Sequence, residues 1–481
     1  MPNPPNRHMH RVGGGDGRGN TDINSAYWKA FVMALQTRIG GAGNDRLFYA
    51  AAETNRSIPA SEYIPMATTN EFLYNEADAL IPLDEPVYNP GNGGYCAALL
   101  QYLNLYRVTL TDTHDHDKAD KLRKEMTDAI AELRVAKSAA LKAYNEDVKN
   151  GITAKGQGFP KWCEQNDPSI KALEETMRTK SALFDACQNG DGVASNLNTF
   201  RNRVNDAALG AGQNPGICMQ CCPEPIGDIA AKIHTPPGQP KPPIAQEPDV
   251  SASYWRAAYV LDPTYRGTMD RWSSNFEKSS AHNSINLDIQ SAMNKSWKDL
   301  GYEQVAAGFD ASCAGFIRVG ASGMETSKYE SAGIEHHQTG VSMSMFWKEM
   351  QLFNVKRGTW DVPNVRQTFA LPAGHAGTGL GKRAVPTQFL CASGFGLKCV
   401  LQGAAKKAFN EAWERQVASK GAASVRICCF GFDACAKYDK KDEQESSTWE
   451  YDAASGTITI NPTPTFGNAV LLGICCSVVE L

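Results

Sequence analysis

The stretch DKADKLRKEMTDAIAELRVAKSAALKAYNEDVK, residues 117–149, decides how the first half of the chain is read. Leu122, Met126, Ala129, Leu133, Ala136, Ala140 and Ala143 recur in steps of four and three over three heptads. That is the period of a helix burying one seam against a partner. Asp117 and Asp120 stand at its start, where carboxylates satisfy orphan N–H groups and offset the helix dipole. At 1.5 Å per residue the helix is about 50 Å long.

Its expected partner lies downstream. Ser169 can cap a helix in which Ile170, Leu173, Met177, Phe184 and Cys187 step by about 3.5, with Lys180 interrupting the seam. Asn189, Gly190, Asp191 and Gly192 break it, and Leu197, Phe200, Val204 and Ala207 carry it on to Leu209. The two pieces together match the unbroken helix in length. The expectation is an antiparallel, coiled-coil-like hairpin within one chain, a jointed arm packed along a straight one with a hinge at 190–192.

Upstream, Trp28, Phe31, Val32, Leu35 and Ile39 share one helical face, ended by Gly40, Gly41 and Gly43. Residues 46–53 read as a second helical piece. The stretch 81–92, with Pro82, Pro86 and Pro90, reads as a long ordered loop before a helix through Leu99, Leu100, Leu103 and Tyr106. Residues 1–20, rich in Pro, Arg, His and Gly, read as a tail without the apolar run of a secretory signal.

Nine prolines fall between 210 and 250, which marks an extended linker. Beyond it the period changes to two, in 341–347, 350–355, 395–401, 424–430 and 456–460, the alternation of antiparallel strands. One helix is inserted at 404–419, with Ala405, Phe409 and Trp413 on one face, and the charged run 439–445 reads as a hairpin loop. The fold class expected is α+β. It divides into a disordered tail (1–20), a helical domain with the long hairpin (21–210), a Pro-rich linker (211–250) and a sandwich-like antiparallel β-rich domain (251–481).

Composition bounds the function. At 481 residues, with 42% apolar and 21% charged side chains, the chain has ordinary globular usage and room for two or three domains. A net charge of −4 without a basic block argues against nucleic acid as a partner. The longest nearly apolar run, 469–479, is shorter than a bilayer-spanning helix. These features point to a cytoplasmic, water-soluble protein. Its 14 cysteines are sparse for a disulfide scaffold and read as reduced thiols. Of the adjacent pairs Cys428–Cys429 and Cys475–Cys476, one member of each is expected to face inward.

Candidate chemistry is thin. His114, His116 and Asp117, with Asp115 and Asp120 nearby, offer zinc-type donors, but a spacing of two does not place both imidazoles on one helix face. Cys218 and Cys221 form a CxxC turn, followed by Cys222 and, further on, His234, which is half of a tetrahedral zinc site without its second half. Gly374, Gly377, Gly379, Gly381 and Lys382 fail the phosphate-loop pattern, because Ala376 holds the first glycine position and Arg383 replaces the Ser or Thr. Glu335, His336 and His337 lack the HExxH spacing, and no GxSxG occurs.

With weak chemistry and a strong helical pattern, the first expectation is a non-enzymatic protein acting by association. It self-assembles, or it inserts helices into a membrane as α-helical pore-forming toxins of similar architecture do. The alternative is an enzyme, metal-dependent if zinc is held, with His114, His116, His336 or His337 in a site between the helices and the β-rich half. No cofactor other than zinc, and no small-molecule ligand, is indicated.

Overall fold

A computed structural model describes residues 20–40, 47–51, 57–88, 94–110, 116–150, 152, 159–188, 192–209, 216–220, 243–246, 253–276, 283–302, 305, 317–321, 330–331, 340–371, 379–420, 423–427, 432–434, 447–462 and 467–481. The first half supplies helices α1 (Asn20–Arg38), α2 (Met66–Ala77), α3 (Tyr95–Leu110), α4 (His116–Lys149), α5 (Phe159–Asn166), α6 (Pro168–Gln188) and α7 (Gly192–Leu209). It also supplies three strands, β1 (Leu47–Ala51), β2 (Val87–Tyr88) and β3 (Ile217–Gln220).

The second half begins with β4 (Ser253–Arg256), β5 (Tyr259–Leu261), helix α8 (Tyr265–Asn275), β6 (Asn283–Asn286) and the short α9 (Ile289–Met293). Strands β7 (Ile317–Ala321), β8 (Glu330–Ser331), β9 (Val341–Trp347) and β10 (Glu349–Arg357) follow, then α10 (Val365–Thr368), β11 (Lys382–Ser393) and β12 (Gly396–Leu401). Helix α11 (Gly403–Lys420) precedes β13 (Ala423–Ile427), β14 (Phe432–Ala434), β15 (Ser447–Asp452), β16 (Thr457–Pro462) and β17 (Val470–Glu480). The fold is α+β, and among the described strands the pairs are antiparallel apart from β1 with β2.

The principal sheet has the order β2-β1-β17-β11-β10-β5, and a second has the order β15-β16-β12-β9-β6. Two continuous segments cross between them. β9 runs into β10 while β11 runs into β12, and the pairing continues on both sides of the crossing, from Glu349↔Ser393 to Phe346↔Gly396. The result is one bent ribbon whose halves belong to different sheets, a corner of the kind that lets a strand change sheets. Gly394 makes the corner with φ +62°, and a Cβ there would meet Lys348 Cγ at 2.8 Å.

The expected alternating strands appear as β9, β10, β12, β13 and β16. The two longest segments of the principal sheet, β11 and β17, carry no alternation because both of their faces are covered. Val385, Phe389, Leu390, Cys391 and Ala392 are buried in succession or nearly so, as are Leu471, Leu472, Ile474, Cys475 and Cys476. Such strands read as continuous apolar runs. Cys475 and Cys476 therefore both lie inside, where one of the pair was expected outside. Pro386, which argues against an inner strand, sits at a register shift between β11 and β17, where a missing N–H breaks no ladder bond.

Residues 47–51, expected as helix, form β1 instead. The alanines favour a helix, but the long edge of β17 offers ladder hydrogen bonds to Leu47, Phe48, Tyr49 and Ala50, and tertiary pairing overrides local preference. The 81–92 stretch adds the bridge Ile81↔Ala384 and strand β2. Within the Pro-rich 211–250 stretch, β3 pairs with β4, and Met219 is fully buried. One core thus takes side chains from both sides of that stretch, including Phe31, Leu35, Phe48, Leu99 and Leu103 with Phe353, Phe389, Leu397, Phe409 and Ile474. The pairs Cys428–Cys429 and the run 439–445 lie outside the described residues.

One close strand contact is open to test. A Cβ at Gly473 would stand 2.5 Å from Phe48 Cζ and 2.7 Å from the Tyr49 carbonyl oxygen. Gly473→Ala is expected to lower unfolding free energy by about 1–3 kcal/mol. Gly267, within α8, meets nothing inside 4 Å, so Gly267→Ala is expected to raise stability by roughly 0.5–1 kcal/mol. Urea unfolding of both variants measures the contrast.

Candidate functional site

Two features stand apart from ordinary core packing: a helical arm with a core of its own, and a buried polar network where the helices meet the principal sheet.

In the arm, α4 runs antiparallel to α6, as the ion pairs Lys137–Glu174 (3.0 Å) and Glu125–Lys180 (3.6 Å) require. Met126, Ala129, Ile130, Leu133 and Ala140 of α4 pack with Trp162, Cys163, Ile170 and Met177 into a cluster separate from the main core. The buried set includes Ile130, and Ala143 is exposed. It follows an ordinary amphipathic face of the kind that a 3.6-residue period produces, and departs from the strict heptad seam. The base is closed by Tyr144, Phe159 and Trp162, whose indole N–H donates to Asp147 at 2.9 Å.

The second piece of the expected jointed arm does something else. Leu197, Val204 and Ala207 of α7 belong to the main core, and Phe200 stacks edge-on against Phe369. Its apolar stripe is used against α3 and β4, so of the two pieces it is α6 that lies along α4. A small apolar cluster and two ion pairs hold these two helices together.

The polar network centres on Asp78, 8% exposed. Its Oδ1 accepts from the Tyr259 hydroxyl at 2.7 Å and from the Cys96 backbone N–H at 2.9 Å. Burial raises the Asp78 carboxyl above its ordinary range, against the opposing effect of these donors, of Tyr74 and of Arg256. A Cβ at Gly94 would stand 2.4 Å from Asp78 Oδ2, so only glycine lets the chain pass this carboxylate. Burial also pushes the Cys96 thiol up to about 12, which keeps it protonated and unreactive at neutral pH.

A second carboxylate lies nearby. Asp361 accepts from the Tyr95 hydroxyl (2.7 Å), from the Val362 N–H (2.9 Å) and from Arg357 Nε (2.7 Å), while Arg203 Nη2 donates to its backbone oxygen at 3.0 Å. Trp360 wedges between Tyr95 and Tyr259 and donates to the Ala258 carbonyl at 2.7 Å. Desolvation lowers the pKa of Arg203, partly countered by Asp361. Each carboxylate ties a helix to a strand or turn, and the hydroxyl and ring groups around it are spent on one another. The arrangement is that of a clamp.

Most of the residues singled out in the sequence lie outside the described residues. His114 lies outside the described residues, and His116 and Asp117 are the first residues of α4. Cys218 sits in β3 opposite Trp255, with its carbonyl accepting from Asn70 Nδ2 at 2.8 Å, while Cys221 and His234 lie outside the described residues. Glu335, His336, His337, Gly374 and Gly377 also lie outside them. Gly379 and Gly381 have φ of +109° and +69° and lead into β11 at Lys382, so that segment opens a strand. Among the described residues no group of three or more His, Cys, Asp or Glu is placed to hold a metal ion. Asp78 and Asp361 were missed because an acidic residue carries no periodic signal. The one local cue was the turn after Arg357, where Trp360 and Asp361 follow Gly358.

No protein-family model, curated protein or solved structure matches this chain.

Asp78 has a measurable consequence. A carboxyl raised in the folded state binds its proton more tightly there than in the unfolded chain, so ionising it lowers stability as pH rises from the unfolded value, about 3.9, through the folded one. Asp78→Asn keeps an acceptor for Tyr259 and removes that titration. The difference in stability, variant minus wild type, is expected to grow more favourable to the variant between pH 4 and pH 8. Asp78→Ala leaves the Tyr259, Cys96 and Tyr74 donors without their acceptor and is expected to lose about 2–4 kcal/mol at either pH. Thermal unfolding at the two pH values reads both.

Proposed function

We propose that this protein acts by association, as a non-enzymatic scaffold whose α4–α6 arm is the contact element. The observation that carries the reading is the arm itself. Its core is separate from the main one, and the side of α4 opposite that core leaves Val135 exposed at 71%. The clamp around Asp78 and Asp361 favours the same reading, since both carboxylates take donors from segments distant in sequence.

Of the two forms of association, self-assembly is better supported than membrane insertion. Lys, Arg, Asp and Glu recur on nearly every turn of α4, and carrying them into hydrocarbon costs about 2.5–3.5 kcal/mol each at mid-bilayer. Among the described residues no helix is long and apolar enough to cross a membrane.

Sedimentation velocity of the full chain over a hundredfold concentration range tests this. The sedimentation coefficient is expected to rise with concentration toward a dimer. A monomer at every concentration would sink the reading, and dye release from anionic phosphatidylserine vesicles would replace it with membrane insertion.

A further inference from the structure

The outer face of α4 carries its charges in a palindrome. Opposite the buried side, Lys124, Asp128, Ala131, Val135, Ala139, Lys142 and Glu146 follow one another at steps of three and four, a straight stripe along the helix. Each of them is exposed. Counting outward from Val135, four residues lead to Ala131 and Ala139, seven to Asp128 and Lys142, and eleven to Lys124 and Glu146.

We infer that this face binds a second copy of the same chain, two α4 helices lying antiparallel across a twofold axis at Val135. The proposal rests on the reading of the arm as an association element. The antiparallel register sets Asp128 against Lys142 of the partner and Lys124 against Glu146 of the partner. The twofold makes each pair twice, as an isologous contact requires. Ala131 meets the partner's Ala139, and these small side chains let the helices approach while the two Val135 side chains fill the centre. A parallel pairing would set Asp128 on Asp128 and Lys142 on Lys142. The charge order, more than the alanines, therefore selects the antiparallel copy.

The same four charges are also neighbours one turn apart on their own helix, Lys124 with Asp128 and Lys142 with Glu146. At the outer ends Lys121 meets the partner's Lys149 as a like pair, which limits the contact to the central turns. Helix α4 packs on α5 and α6 among the described elements, so nothing in them occupies this face.

Three variants of the full chain test the register. Lys142→Glu is expected to weaken dimerisation roughly tenfold, because it turns two favourable pairs into two repulsive ones. Adding Asp128→Lys to it is expected to restore the wild-type dissociation constant. Val135→Cys is expected to form a disulfide-linked dimer on mild oxidation that the wild type does not form. Ala131→Cys alone is expected not to, since its copies would stand about 12 Å apart along the helix. A chain that dimerises in sedimentation while Val135→Cys fails to link and the double variant fails to recover would overturn this register and leave the association reading intact. A chain monomeric throughout would remove both.

Discussion

The structure depends on the burial of β17. An inner strand covered on both faces needs ladder partners on both edges, because each N–H or carbonyl left unpaired away from water costs about what a hydrogen bond is worth. β11 supplies one edge over nearly its whole length, and β1 supplies the other. The second partner comes from the far end of the chain. Satisfying β17 thus joins the first and second halves into one core.

The carboxylates reinforce the same union. Asp78, at the end of α2, takes the Tyr259 hydroxyl from β5, and Asp361 takes the Tyr95 hydroxyl from the start of α3. Each is a contact between segments far apart in sequence, made in a setting where an unpartnered carboxylate would be unfavourable by several kcal/mol. Such groups hold segments in one arrangement only while every member is present. Their burial therefore argues for a fixed body more than for a reactive one.

The arm answers to different physics. Its apolar cluster is small, and among the described residues it shares no buried residue with the main core. A small helical unit of this kind buries little apolar surface, and such units open locally at lower free energy than a larger core. The uncovered side of α4 is where a further helix gains most by packing. That links the arm's modest energetics to the role proposed for it.

Helix α4, the face of α1, the inserted α11 and the half-buried strands β9, β10, β12 and β16 were legible in the sequence, because each shows one side to water and so writes its period into the order of residues. The charge order of α4 was present there as well, although which of its faces lies open was not. Only the tertiary structure decided that 47–51 is a strand, that β11 and β17 lie inside the principal sheet, that Cys475 and Cys476 are both enclosed, and that α7 leaves the arm for the body. Asp78 and Asp361 belong to the same group. The reason is common to all of them. A segment enclosed on every side, or a polar group completed by distant partners, has no solvent face to record in its own neighbours, so its place is set by what the rest of the chain leaves unpaired.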